Sequence, residues 1–141
     1  MDGKSQHMVA HLQMVQGVVT RMAGNSAQMK TWAVSLVTAA YVFSGVSANP
    51  HWLIGAGGCI PVIAFWVMDA RYLHLEKCYR MLYDAILAEE VIQPFDLNYR
   101  PCAASVDSTW QVAWSWSVCL FYGALLIVIL ALVAILVTMG A

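Results

Sequence analysis

The sequence predicts an all-α membrane protein with three transmembrane helices, an N-terminal amphipathic helix and a cytoplasmic extension of the second span. The first observation behind this prediction is composition: 61% of the 141 residues are hydrophobic and 11% are charged. Soluble domains average about 45–50% apolar and about 25% charged residues. The second observation is a set of long uncharged runs, and the third is an N-terminal apolar spacing of three and four residues.

The charge balance excludes one class of function. The net charge is -1, and only seven Lys and Arg are spread over the whole chain. Phosphate binding over a broad surface needs clustered cations, so the chain lacks the basic face of a general nucleic-acid binder. Specific recognition of a short oligonucleotide stays open.

Residues 1–30 are predicted to form a cytoplasmic amphipathic helix. Apolar side chains recur at helical spacing between residues 7 and 22, with glutamines between them. Lys4 and Arg21 are too few cations for the basic face of a lipid-binding helix, so we expect this helix to pack on protein. The sequence Ala23-Gly24-Asn25-Ser26 predicts a break, after which its Asn or Ser caps the next helix.

Residues 31–68 are predicted to form a transmembrane hairpin. Residues 31–48 are 18 positions without a charge, and residues 52–68 contain no ionisable side chain. Both runs lie near the lower end of the roughly 17–25 residues that a spanning helix needs. The turn Asn49-Pro50-His51 is too short for any connection except an antiparallel one. Pro61 lies inside the second run and predicts a kink that membrane helices tolerate.

Residues 69–107 are predicted to form a cytoplasmic helical extension followed by a return loop. Asp69 and Arg71 end the apolar run, yet no Pro or Gly occurs between residues 78 and 93 to end the helix. One continuous rod is therefore expected to join the bilayer to the cytoplasm. Residues 92–107 contain prolines and small residues without a sustained period, which predicts the loop that returns the chain to the membrane.

Residues 108–141 are predicted to form the third transmembrane helix, because they contain no charged residue. At about 1.5 Å per residue this helix is longer than a hydrocarbon core of about 30 Å requires. Its first turns are therefore expected to stand in the membrane interface. Trp110, Trp114 and Trp116 suit that position, since indole rings are enriched at both interfaces.

Lysine and arginine near the spans predict the orientation. Arg21 and Lys30 precede the first span and three cations follow the second, whereas the hairpin turn has no Lys or Arg. By the positive-inside rule the N-terminus and the middle segment are cytoplasmic. The C-terminus then lies outside, which in a bacterial inner membrane is the periplasm.

Charged side chains along the rod are candidates for gating or assembly. These candidates are Asp69, Arg71, Glu76, Arg80 and Asp84. Arg80 can pair with Glu76 or Asp84 at one helical turn. A simpler interpretation also stays open, a solvated charge ladder beside a tyrosine-rich packing face, because exposed pairs of this kind contribute little. The functional interpretation gains weight at Asp69 and Arg71, since ionisable groups near hydrocarbon are costly and usually find a partner.

Ser35 and Thr38 on the first span are the candidate pore-lining residues. Small and hydroxylated side chains on membrane helices more often allow neighbouring helices to approach closely. Helix packing is therefore the alternative interpretation of these two residues.

No pattern predicts catalysis, a cofactor or a metal site. A Gly-rich phosphate loop, a GxSxG elbow and a paired-carboxylate pattern are all missing from the sequence. His7 and His11 lie one helical turn apart, but no third ligand accompanies them. The four cysteines match neither a CxxC clip nor a disulfide framework and are expected to be packed thiols. We therefore expect no enzyme.

Several short runs resemble those of a family of small bacterial membrane proteins. They are Val19-Thr20-Arg21-Met22-Ala23-Gly24-Asn25-Ser26, Ile63-Ala64-Phe65-Trp66-Val67-Met68-Asp69-Ala70-Arg71-Tyr72-Leu73, Glu76 and Leu82-Tyr83-Asp84. The family is that of membrane effectors encoded beside nucleotidyltransferases in antiphage operons, such as those of the Hailong system. The resemblance covers most of the first 90 residues.

The resemblance implies a homo-oligomeric ion channel, such as a tetramer, in the bacterial inner membrane. Its gating ligand would be a nucleotide or short single-stranded oligonucleotide made by a partner nucleotidyltransferase, and its opening would depolarise the cell during antiphage defence. Arg21, Lys30 and Arg80 are the candidate ligand-binding residues among the few cations available. The alternative function is a non-channel membrane adaptor or assembly subunit that anchors a soluble partner through the tyrosine-rich face of the rod.

Overall fold

The structure is a computed structural model that describes residues 3–46, 56–88 and 95–140. Every regular element in these residues is an α-helix, which confirms the all-α class. The helices are α1 (Gly3–Val46), α2 (Cys59–Leu87), α3 (Arg100–Ala103), α4 (Thr109–Ala113) and α5 (Trp116–Gly140). The predicted hairpin turn Asn49-Pro50-His51 and the start of the second span lie outside the described residues.

Helix α1 runs without interruption through Ala23-Gly24-Asn25-Ser26, so the predicted break there is wrong. A helical Gly costs only about 1 kcal/mol relative to Ala, and packing on both sides of it outweighs that cost. On one side Val15 and Val19 are buried in a cluster with α2, and on the other side Ala33 is buried. The predicted N-terminal helix and first span are thus one helix of 44 residues, about 66 Å long.

Helix α2 confirms the predicted continuous rod. It extends from Cys59 to Leu87 and passes through Asp69 and Arg71 without a break. The helix is interrupted next to Pro61, where a kink was predicted: residues 56–57 are helical, Gly58 is a turn residue, and Pro61 lies in the first turn of α2. Backbone N–H groups in the first turn have no intrahelical acceptor, so proline removes no helical hydrogen bond there.

The return segment is fastened to α1 and α2 at both of its described ends. The ring of His11 donates from Nε2 to the carbonyl oxygen of Asp96 at 2.8 Å, and His74 donates from Nδ1 to that of Asp107 at 2.8 Å. Lys77 Nζ also donates to Asp107 Oδ2 at 2.8 Å. The expected loop is confirmed over most of 95–107, with the short helix α3 inside it.

The third predicted span is divided in two, so the prediction of one helix from residue 108 is wrong. Helix α4 begins with a capping box between Ser108 and Gln111, and the chain turns at Trp114 and Ser115 before α5 begins. The Trp66 indole explains the division, because its Nε1 donates to the carbonyl oxygen of Ala113 at 3.0 Å. A continuous helix would need that carbonyl as the acceptor for the N–H of Ser117.

One helix in the described residues is long and apolar enough to cross a membrane. It is Trp116–Thr138, with 23 residues and a mean hydropathy of 3.1, and only 22% of its most apolar stretch is buried inside the protein. Its inner side packs on α1 and α2 through Val118, Tyr122 and Ile129. The described fold is therefore three long helices joined along one apolar core, with α5 largely uncovered.

Candidate functional site

The most unusual site in the structure is a buried carboxylate between α1, α2 and α5. Asp69 lies on the inward face of α2, which also carries the buried residues Val62, Ala70 and Cys78. The face forms because these positions recur at intervals close to whole helical turns. Asp69 has no solvent-exposed surface, so its charge is removed from water and needs partners within the protein.

Helix α1 supplies those partners from two residues one turn apart. Ser26 Oγ donates to Asp69 Oδ1 at 2.5 Å, and Lys30 Nζ lies 2.6 Å from Asp69 Oδ2. Lys30 Nζ also donates to Ser26 Oγ at 3.1 Å. The three side chains form a triangle of contacts because Ser26 and Lys30, at i and i+4, share one helix face. Lys30 meets Asp69 Oδ2 as an ion pair, and this oxygen has no hydrogen bond of good geometry within the described residues.

The triangle is electrically neutral but costly to disturb. Lys30 keeps 27% of its side chain exposed whereas Asp69 keeps none. Removal of one partner of a buried pair leaves an uncompensated charge and typically costs about 3–5 kcal/mol. The pair therefore fixes the position along α2 at which α1 packs against it.

Helix α5 closes the site with Tyr122. Its ring is fully buried and stacks on that of Trp66, with centroids 6.0 Å apart and an interplanar angle of 4°. The Tyr122 hydroxyl faces the Asp69 carboxylate, yet it makes no hydrogen bond of good geometry with any group in the described residues. A buried hydroxyl without a partner is uncommon in proteins, and it marks the place where all three long helices meet.

Of the other predicted gating and assembly residues, Arg71, Arg80 and Asp84 lie on the exposed side of α2, whereas the Glu76 side chain is only 12% exposed. Arg80 Nη2 donates to Glu76 Oε1 at 2.6 Å, so of the two partners considered for Arg80 the structure selects Glu76. Only Asp69 among the five candidates is buried.

The predicted ligand-binding residues do not form one cationic cluster. Lys30 is paired with Asp69, and Arg80 is paired with Glu76. Arg21 is exposed on α1 and forms no ion pair within the described chain. Arg21 is thus the one of the three whose charge is not already matched.

The predicted pore-lining residues lie on the outer surface of α1. Ser35 and Thr38 are both exposed, and they line a shallow depression together with apolar side chains of the same helix. Ser35 Oγ donates to the carbonyl oxygen of Thr31 at 2.9 Å. This internal bond lets the hydroxyl lie in an apolar environment as well as in water.

Histidine and cysteine side chains serve packing in this structure. His11 is buried against the return segment, and no group of three potential metal ligands occurs among the described residues. All four cysteines are free thiols. Burial raises the pKa of the Cys78 thiol, whose Sγ lies 3.6 Å from His74 Nε2. A raised pKa keeps a thiol protonated and unreactive.

Sequence reasoning missed Ser26, Tyr122 and Trp66 as parts of the site. Ser26 was expected to cap a helix, and it instead bonds Asp69. The i, i+4 spacing of Ser26 and Lys30 was a usable signal, since it places a hydroxyl and a cation on one face. No signal in the sequence linked Tyr122 to Asp69.

Comparison with family models, curated proteins and solved structures finds no match to this chain.

Proposed function

We propose that this protein is a homo-oligomeric membrane channel with three transmembrane helices in each copy, gated from the cytoplasm. The observation that carries the proposal is a band of exposed apolar side chains on three helices. The band includes Trp32, Leu36 and Val42 on α1, Ile60, Ile63 and Met68 on α2, and Ile127, Leu130 and Ile135 on α5. Apolar patches of this extent mark a membrane or protein interface.

On α1 and α2 this band lies on one side of the first charged residues, and beyond them single apolar side chains such as Val9, Met14 and Met81 are exposed. Going away from the apolar band, Lys30 is the first charged residue of α1 and Asp69 is the first of α2. These two residues pair with each other at 2.6 Å. A neutralised pair at one height is what two antiparallel spans need where they leave the hydrocarbon, because single charges there are expensive.

A pore must then form between copies. The space between α1, α2 and α5 is filled by buried side chains such as Ala33, Val62 and Tyr122, so one copy leaves little room for ions at its centre. Several identical copies related by rotational symmetry can surround a pore that one short chain cannot enclose. The exposed position of Ser35 and Thr38 on α1 suits a surface that meets water or a neighbouring copy.

Gating is assigned to the Lys30–Asp69 pair. The pair holds α1 against α2 in the closed state, and a ligand that prefers the separated helices opens the pore, since only differential binding shifts such an equilibrium. The family resemblance supplies the ligand class, a nucleotide or short oligonucleotide, and the setting, antiphage defence at the bacterial inner membrane. Arg21, exposed and unpaired among the described residues, is the favoured contact for an anion.

The adaptor alternative is less favoured. Tyr79 and Tyr83 on the rod pack against the cluster that contains Val15 and Leu82, and Tyr79 also contacts the ring of Tyr99 at 5.2 Å between centroids. This face of the rod is thus partly covered by the chain itself, which leaves less of it for a soluble partner.

The test is potassium efflux from liposomes that contain the purified full chain. Nucleoside triphosphates and short single-stranded DNA oligomers serve as the probes, and we expect efflux that at least one probe changes. An intact oligomer that passes no potassium with or without every probe would contradict the channel.

Matched variants separate pore lining from assembly. Ser35→Phe and Thr38→Phe are expected to reduce efflux because they place bulky apolar rings at the proposed pore. Val128→Phe is the control, since it adds the same ring at an exposed position of α5, inside the candidate span but outside the proposed pore-lining helix. Equal effects of all three substitutions on efflux would contradict the proposal that α1 lines the pore.

A further inference from the structure

We propose that Trp110, Trp114 and Trp116 form a lipid-headgroup anchor that fixes the height at which α5 enters the bilayer. These three residues are called the tryptophan anchor. The proposal rests on the membrane placement proposed above, and it names the partner of one surface as the interfacial layer of phospholipids.

The three indoles are among the most exposed large side chains in the described chain. Trp110 is 71% exposed, Trp114 65% and Trp116 81%. Val112 and Ala113, between them in sequence, are buried against α2. The segment therefore turns small apolar side chains inward and large aromatic ones outward, and an aromatic cluster of this size in water would be an aggregation hazard.

The chemistry of the exposed rings selects the interface over the hydrocarbon. None of the three indole N–H groups has an acceptor within the described chain. An indole combines an apolar body with one donor, so it is satisfied where apolar chains and ester or phosphate oxygens lie side by side. Trp66 provides the contrast, because its N–H is satisfied by Ala113 and its ring is packed inside the protein.

The position of the anchor agrees with this chemistry. Trp116 is the first residue of the candidate span, whereas Asp107 and Lys77 form an exposed ion pair on the other side of α4. The anchor thus lies between the first charges and the continuous apolar helix. Such a layer, with polar groups on one side and hydrocarbon on the other, is where tryptophan is enriched.

The fold also holds the anchor in a fixed arrangement. The Trp114 ring meets the edge of Trp66 at 5.6 Å between centroids and 67°, and the bond from Trp66 to Ala113 divides α4 from α5. The division at Trp114 and Ser115 frees α4 from continuing along the axis of α5. As a result, Trp110 on α4, Trp114 in the turn and Trp116 at the start of α5 can lie along the membrane surface while α5 crosses.

Fluorescence quenching by brominated phospholipids tests the proposal on the full-length protein in vesicles. Bromine near the headgroup should quench the wild type more strongly than bromine near the bilayer centre. In the variant Trp110→Phe/Trp114→Phe/Trp116→Phe the emission that headgroup-level bromine quenches should fall to roughly half of the wild-type amount, because three of the six tryptophans are removed. The matched control is Trp32→Phe, which removes an exposed indole from α1.

Each outcome decides one point. An unchanged amount of shallow-quenched emission in the triple variant, with its helicity intact by circular dichroism, overturns the anchor. If neither lipid quenches the anchor indoles of the wild type and the triple variant loses its oligomeric state, this surface contacts a second copy, which likewise overturns the anchor. Protein that fails to float with the vesicles contradicts the membrane placement itself, so the two failures are distinguishable.

Discussion

The two halves of α2 hold their charges in opposite ways. In the first half Asp69 has no exposed surface and is bound by Ser26 and Lys30 of another helix. In the second half Glu76 and Arg80 pair within α2 itself, with most of the Arg80 side chain in solvent. The pairs have the same N–O distance of 2.6 Å. The loss of one partner should lower the free energy of unfolding by different amounts in the two pairs, because burial rather than distance determines that cost.

The largest expected effect comes from Lys30→Met, which leaves Asp69 buried without its cation. We expect the free energy of unfolding to fall by about 3 kcal/mol, near the lower end for a broken buried pair because Lys30 retains some contact with water. Denaturant titration in detergent micelles measures it. The double variant Lys30→Met/Asp69→Leu should recover most of the loss, and a double variant as unstable as the sum of both single ones would contradict the pairing.

Trp66→Phe is expected to have the next largest effect. It removes the hydrogen bond to the Ala113 carbonyl, worth about 1 kcal/mol, and frees that carbonyl for the N–H of Ser117. Amide exchange at Ser117 should therefore slow as α4 and α5 join. Trp32→Phe is the control substitution, and an unchanged exchange rate at Ser117 would mean that Trp66 does not cause the division.

A smaller effect is expected from Arg80→Ala. The pair with Glu76 is an i, i+4 pair in which the guanidinium is exposed and the Glu76 side chain is mostly covered, so its loss should change the free energy of unfolding by about 1 kcal/mol or less. The same titration used for Lys30→Met gives the comparison directly. Equal losses for Arg80→Ala and Lys30→Met would contradict the contrast between the two halves of α2.

The smallest effect concerns the return segment at low pH. The hydrogen bond from Lys77 holds the pKa of Asp107 below its usual value of 3.8. A lowered folded-state pKa means that the contact stabilises the fold above pH 3.8 and is lost as pH falls through the lower, folded value. The protection factors of residues 95–107, which correct exchange for its intrinsic dependence on pH, should then fall in that acid range.

Lys77→Met is the control for the acid effect. In this variant the protection factors of residues 95–107 should already be lower at neutral pH and should lose their dependence on pH below about 4. The bond from His74 to the Asp107 carbonyl remains in both proteins. If Lys77→Met keeps the full acid response, another group titrates there.

Local patterns in the sequence predicted the rod and the loop because each depends on residues close together in the chain. The absence of Pro and Gly after Cys78 was sufficient for the continuity of that half of α2. The break at Gly24 was mispredicted because a local cost of about 1 kcal/mol was weighed without the packing of Val19 and Ala33. A residue of low helix propensity is kept in a helix when the residues before and after it pack against other helices.

The candidate site was only half predictable for the same reason. Asp69 is conspicuous in sequence because it follows an apolar run, and its need for a partner follows from the cost of charge near hydrocarbon. Which residues of α1 become the partners of Asp69, here Ser26 and Lys30, depends on how α1 is positioned along α2. The division of the third span depends on an indole 47 residues away from its acceptor, which no local pattern contains.

The most direct test of the central claim compares ligand-free potassium efflux for wild type, Asp69→Asn and Arg100→Gln in liposomes. If the Lys30–Asp69 pair holds α1 against α2 in the closed state, Asp69→Asn raises basal efflux, and Arg100→Gln, altered at an exposed charge of the return segment, behaves as wild type. Circular dichroism checks that the helices persist in each protein. Equal basal efflux from folded Asp69→Asn and wild type would contradict the account.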